Sequence, residues 1–281
     1  MNHPAPRGTD EPVQQPGPAS APGIMPGHRG RRRLAALGLV GGLALLTACG
    51  QDDEVPEGET QAPDPAGAEH AVAAAAAGAE RAASYGFDAA GFMPKESRDY
   101  YREQMTDPFE ERQALEVTPA ECADPLLADG WSPLLLETDA ARVDFAAQTF
   151  AGQGSLEVAP LENQDDRDRA QEYQQAVEEL IASCSEVEFS TDDGDFVLEI
   201  SEPELQADLP DTTAFVWERR AAGAESPAGT ETAQILFTPQ DDDVVMVSFM
   251  GESAAGSEEF TQIAEAITEE TLAALGETTD D

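Results

Sequence analysis

Any chemistry in this chain has to be done almost without histidine. Beyond Cys49 the single histidine is His70. That scarcity excludes a Ser-His or Cys-His nucleophile and a histidine-based zinc site from the residues that follow it. Carboxylates are abundant, and two well-placed ones suffice for general acid–base work. Asp192-Asp193-Gly194-Asp195 and Asp241-Asp242-Asp243 cluster oxygens as a calcium ion requires, but neither has the spacing of an EF-hand loop or its closing glutamate. Asp and Gly at such places are also what tight hairpins need, so no metal and no cofactor is expected. Gly251-Glu252-Ser253-Ala254-Ala255-Gly256 sets a serine between glycines, but the second glycine is one place late for a nucleophile elbow and no base accompanies it. Trp217, Arg219 and Arg220 are the candidate ligand-binding residues: two guanidinium groups beside an indole suit a carboxylate or phosphate, although neighbouring acids compete for them.

The three cysteines divide by position. Arg29 to Arg33 precede an apolar run, Leu34 to Leu46, which ends in Leu46-Thr47-Ala48-Cys49. A run of about 13 residues is too short to span a bilayer, which takes about 20, but it suits the apolar region of a cleaved export signal. Leu-Thr-Ala-Cys resembles the bacterial lipobox, whose small residues give the signal peptidase access to the bond before a diacylglycerol-bearing cysteine. Residues 1–48 are therefore expected to be removed and Cys49 to carry lipid, placing the mature chain on the outer face of the cell membrane. Cys122 and Cys184 remain as an even pair in an oxidising compartment and read as a disulfide. Closing a loop of about 63 residues contributes roughly 4 kcal/mol on the chain-entropy model. Two separate buried thiols are the alternative.

Charge sets a further bound. The chain carries 57 acidic and 15 basic residues, a formal net charge of −42. Five of the bases (Arg7, Arg29, Arg31, Arg32, Arg33) and two of the acids (Asp10, Glu11) precede Cys49, which leaves 55 acids against 10 bases in the mature chain. Such a surface repels nucleic acid and anionic headgroups, so no nucleic-acid partner is expected. Spread along the chain rather than blocked, the acid reads first as solubility.

The elements that must position these residues follow from composition and period. Residues 49–69 hold Pro56, Pro63 and Pro65 with many acids and read as a lipidated, disordered tether, which at about 20 residues spans on the order of 25 Å. Residues 70–114 are helix-prone but weakly packed, since the alanine-rich stretch Ala68 to Ser84 offers only a small face and Lys95 to Met105 has Tyr100, Tyr101 and Met105 as its apolar side. The folded domain is expected over 115–276. Thr118-Pro119-Ala120-Glu121 predicts a capped helix start. Val143 to Phe145 and Leu156 to Val158 predict a strand pair, and Ala170, Tyr173, Val177, Leu180, Ile181 and Cys184 have the three-four spacing of an amphipathic helix. Five alternating runs follow, at Val187-Phe189, Phe196-Ile200, Ala214-Trp217, Gln234-Phe237 and Val244-Phe249, and Ser257 to Leu275 closes with a helix. The fold class is α+β, an antiparallel sheet of about five to seven strands with helices packed on one face.

The order of lipobox, tether, Pro-x-x-Cys start (Pro119 to Cys122), two strands, a long helix ending at Cys184, a run of strands and a final helix resembles actinobacterial lipoproteins related to the extracellular sensor domain of protein kinase H. The resemblance covers roughly Leu115 to Leu275. It implies a single α+β domain with helices on one face of the sheet, a cleft, and no known catalysis. The kinase sensor has two disulfides where this domain has cysteines for one.

Three functions remain open. The first is a non-catalytic, sensor-like envelope lipoprotein that meets the membrane through Cys49 and binds a small ligand or an envelope protein. The second is a carboxylate-dependent envelope hydrolase, which requires two acids about 5 to 10 Å apart in one pocket. The third, a lipid carrier, requires a large apolar cavity that an alanine-rich core is poorly suited to line.

Overall fold

A computed structural model describes residues 65–110, 116–191, 194–223 and 230–278. Cys49, the export signal and most of the expected tether lie outside the described residues. So do Asp192 and Asp193.

One antiparallel sheet of nine strands organises the described residues: β1 (Ala89–Phe92), β2 (Glu116–Thr118), β3 (Ala141–Ala146), β4 (Gly152–Pro160), β5 (Glu186–Thr191), β6 (Gly194–Ser201), β7 (Thr213–Ala221), β8 (Glu231–Gln240) and β9 (Asp243–Gly251). Their order across the sheet is β1-β3-β4-β9-β8-β7-β6-β5-β2. The α+β class stands, but the count exceeds the five to seven strands expected. The two additional strands are the sheet's edges, four and three residues long. Short edge strands expose little unpaired backbone to other chains.

Helices lie on both faces, not on one. α1 (Glu69–Ser84) and α4 (Glu258–Thr278) pack against each other and over β3, β4 and β9. α3 (Gln164–Ser183) covers the opposite face together with the 3₁₀ segment Pro125–Gly130. Alternation along the central strands feeds two cores. Leu156, Val158, Val245, Val247 and Phe249 meet the first helical layer, and Ala159, Val244, Met246, Phe215 and Trp217 meet the second. A strand buried on both faces shows a continuous apolar run, as Val244 to Val247 does.

The alanine face of α1, expected to pack weakly, is buried at Ala71, Ala74, Ala75, Ala79 and Ala82. Small side chains let the helix come close: a Cβ on Gly78 would overlap Leu156 Cδ2 and Thr271 Oγ1. Order also begins before Glu69, inside the stretch expected to be tether. Pro65 bridges Pro94, Ala66 N–H donates to the Met93 carbonyl, and Ala68 N–H donates to the Asp139 carbonyl.

Two local expectations are corrected. Pro119 begins only a three-residue 3₁₀ turn, Ala120–Cys122, with no side-chain cap, because Thr118 is drawn into β2 opposite Glu188. In α2 (Lys95–Gln104) the buried residue is Arg98, while Tyr100 and Met105 are exposed. Arg98 donates to the Ala140 carbonyl, and Arg102 to those of Leu134 and Thr138, so α2 is held by guanidinium contacts together with Tyr101, which packs on the second core as expected. α3 forms where its period predicts. Asn163 and Asp166 build a capping box at its start.

Candidate ligand-binding cleft

The disulfide positions the site. Cys122 and Cys184 are bonded with their Cα atoms 5.8 Å apart, tying the 3₁₀ turn at Ala120–Cys122 to the residue after α3. Pro125–Gly130 follows at once, with Pro125 in its first turn, and buries Leu126, Leu127 and Ala128. Trp131 then packs at a tilt on Tyr173 of α3, ring centroids 4.6 Å apart, and Tyr173 meets Phe237 of β8 edge-on at 4.8 Å. Fixed from both sides, the 3₁₀ segment forms one wall of a cleft over β5, β6 and β7.

That cleft has a volume of about 250 Å³ and is lined by Leu126, Leu127, Asp129 and Gly130 from the 3₁₀ segment, Thr106 and Pro108, and Phe189, Thr191, Leu198, Trp217 and Arg219 from the sheet. Small-molecule sites run from about 300 to 1,000 Å³, so this one suits a compact ligand. Most of its surface is apolar, and its polar side chains are those of Thr106, Asp129, Thr191, Trp217 and Arg219.

Trp217 is 4% exposed, and its Nε1–H is buried without a hydrogen-bond partner. Leaving a buried donor unsatisfied costs about 1–3 kcal/mol. Arg219, two residues on along β7, shares this face. Its guanidinium carbon lies 5.5 Å from the Phe196 ring centroid and 5.8 Å from that of Trp217, and it pairs with Glu231 directly across on β8. Asp129 is exposed as a residue, and desolvation at the cleft pushes its carboxyl up to about 6. The Trp217 indole and the Arg219 charge oppose that rise, and Glu231 adds to it. The Trp217 indole N–H therefore faces the Asp129 carboxyl as a donor without completing a hydrogen bond to it.

No family model matches this chain, and no curated protein does. Among the solved structures similar to it are two from mycobacteria. The extracellular domain of PknH from Mycobacterium tuberculosis aligns at a TM-score of 0.43 and 14% identity, covering 74% of this chain and 97% of that one. An uncharacterized protein from Mycobacterium smegmatis, the Rv0999 ortholog, aligns at 0.39 and 13% identity, covering 71% of this chain and 95% of that one. The kinase-sensor resemblance read from the sequence layout has its structural counterpart in the first.

Of the candidate residues, the structure brings Trp217 and Arg219 together and separates Arg220 from them. Alternation along β7 sends Arg220 to the other face, where it pairs with Glu199 of β6 at 2.9 Å. Adjacent residues of a strand cannot share a site on one face, so Arg220 leaves the candidate set. Asp129 was missed. The signal for it is the apolar run Leu126-Leu127-Ala128 followed by Asp129-Gly130 shortly after Cys122, an acid forced beside a buried segment.

Among the lining residues Asp129 is the one carboxylate; Glu231 is engaged with Arg219. Asp241 belongs to the β8–β9 turn, at φ 50°, and Asp243 opens β9 and is hydrogen-bonded to His70 at 3.1 Å. No cluster of three potential metal ligands occurs among the described residues.

Proposed function

We propose that this chain is a non-catalytic lipoprotein of the cell envelope, held on the outer face of the membrane by lipid on Cys49, whose folded domain binds a small ligand in the cleft between Pro125–Gly130 and strands β5–β7. One observation carries the binding reading: a buried indole N–H without a hydrogen-bond partner and a guanidinium stand on one face of β7 inside a mostly apolar cleft that also holds the Asp129 carboxyl. Convergent polar groups in an apolar recess are the ordinary anatomy of a small-molecule site. The anchor rests on the basic cluster, the apolar run and Leu46-Thr47-Ala48-Cys49 in that order. No helix among the described residues is long and apolar enough to cross a membrane.

A carboxylate-dependent hydrolase draws support from the raised carboxyl of Asp129, which would suit a general acid. It needs a second acid free to act in the same recess, and Glu231 is committed to Arg219. A lipid carrier needs more room than about 250 Å³. Ligand-observed NMR with a library of small fragments, run on wild type and on Trp217→Phe, tests the binding reading. Phenylalanine keeps a buried ring and removes the N–H. Hits are expected that weaken in the variant; a library without hits, or hits indifferent to the variant, would remove the cleft as a binding site.

A further inference from the structure

We propose that the ligand is a small carboxylate on a compact apolar body, with its oxygens received by the Trp217 indole N–H and the Arg219 guanidinium and its body seated against Leu126, Leu127 and Leu198. This rests on the binding reading above and names the ligand's class. Both receiving groups are donors only: an indole nitrogen and a guanidinium accept nothing. A ligand that satisfies them presents acceptor oxygen, and the guanidinium favours that oxygen charged and planar. Glu231 occupies part of Arg219, but five N–H donors leave others to offer. A cationic ligand would face Arg219 without a free counter-charge other than Asp129. The cleft volume of about 250 Å³ limits the body to a ring or a short branched chain.

Asp129 gives the site a proton link. The charged and titratable groups around it are Arg219 and Glu231 on the strands and Tyr173 on α3, with the Trp217 indole beside it. Ionised, Asp129 repels a carboxylate ligand; protonated, it becomes a third donor. Binding should therefore draw a proton onto Asp129 and weaken as pH rises through about 6. If only the protonated form binds, affinity falls about thirtyfold between about pH 5 and about pH 7.5.

The test is calorimetric titration of the detergent-purified full chain with three probes of one shape and different charge: benzoate, benzamide and benzamidine. Benzoate is expected to bind, benzamide at least about tenfold more weakly, and benzamidine to give no heat. Trp217→Phe and Arg219→Gln should each weaken benzoate about tenfold or more. The second variant alters a side chain that is 42% exposed and so keeps the test independent of folding. Asp129→Asn, a neutral mimic of the protonated acid, should bind benzoate with little pH dependence. If benzamide or benzamidine binds as tightly as benzoate and loses affinity in Trp217→Phe, the cleft is a binding site and the carboxylate class is wrong. If benzoate binds and Trp217→Phe leaves it unchanged, the cleft itself is wrong. No heat from any probe overturns the carboxylate class, and the fragment screen then decides the wider reading.

Discussion

Arg219 and Glu231 stand directly opposite each other across β7 and β8 and form an ion pair, with side chains 42% and 38% exposed. Exposed pairs of this kind contribute about 0–1 kcal/mol to stability. Their consequence for binding is larger, because Glu231 draws on the donors that an anionic ligand would use. Glu231→Gln is predicted to tighten benzoate binding by about three- to tenfold while leaving the melting temperature nearly unchanged. Calorimetry and a thermal melt on the same sample check both. Weaker binding in the variant would show that Glu231 orients Arg219 rather than competing for it.

The bond between Cys122 and Cys184 spans 62 residues. It carries two loads, the closure of a long loop and the fixing of the wall that supplies Leu126, Leu127 and Asp129. Cys122→Ser or Cys184→Ser should lower stability by about 2–5 kcal/mol, and the double variant should be no worse, since either loss opens the same loop. Benzoate binding should weaken in parallel under native conditions, because the cleft wall is released. Chemical denaturation together with calorimetry measures the two effects. Unchanged binding in a destabilised variant would show that Trp131 and Tyr173 hold the wall without the disulfide.

The parts of this structure that were legible in the sequence are those whose periods are unmixed. α3 shows its stripe at Ala170, Tyr173, Val177 and Leu180 because one side faces water. The strand runs from Val187 to Phe249 show alternation or β-branched content. β1, with the sequence Ala-Ala-Gly-Phe and little burial, carries no pattern of its own, and its pairing is set by β3. The same holds for β2 against β5. Which face each helix would take could not be read, because β9 and the other central strands are apolar on both sides. At the cleft, the i, i+2 relation of Trp217 and Arg219 was visible, and the same alternation already places Arg220 elsewhere. Asp129 was one acid among 57 until the fold set it beside the indole.

Gly78 lies where α1 crosses β4 and α4, and a Cβ there would overlap Leu156 Cδ2 and Thr271 Oγ1. Thr271 Oγ1 is held by its own hydrogen bond to the Ile267 carbonyl, so it cannot simply turn away. An alanine in a helix interior normally gains about 1 kcal/mol over glycine. Here the overpacking, about 1–3 kcal/mol, should outweigh that gain. Gly78→Ala is predicted to lower the denaturation midpoint. A raised midpoint would mean that α1 can shift outward at little cost.

Cys49 lies outside the described residues, and its role is tested in cells. Cys49→Ala should abolish lipid attachment and leave the precursor uncleaved, since the modified thiol is what the peptidase acts on. Two or three acyl chains anchor stably where one does not. The wild-type protein should therefore stay with washed membranes, and its intact mass should show diacylglycerol on Cys49. Recovery of unproteolysed wild type in the soluble fraction would remove the anchor.

Asp129 links folding stability to pH with a definite sign. Desolvation at the cleft lifts its carboxyl from the ordinary 3.8 to about 6 in the folded chain. Between those values the folded state holds a proton that the unfolded state has released. Stability rises with pH only where the unfolded state binds more protons. Here the folded state binds more, so this group's contribution falls as pH rises from about 4 to about 6 and stays low above. Asp129→Asn removes the term. Relative to wild type, the variant should gain stability at neutral pH and little at about pH 4, so the difference between the two should open across that window. Many other acids titrate in the same range, and comparing the two proteins at each pH cancels them. Denaturation midpoints measured from about pH 4 to about pH 7.5 provide the curve. A constant difference across that range would mean that Asp129 stays solvated and ionises as it does in the unfolded chain, and the pH dependence expected for benzoate would then have to disappear with it.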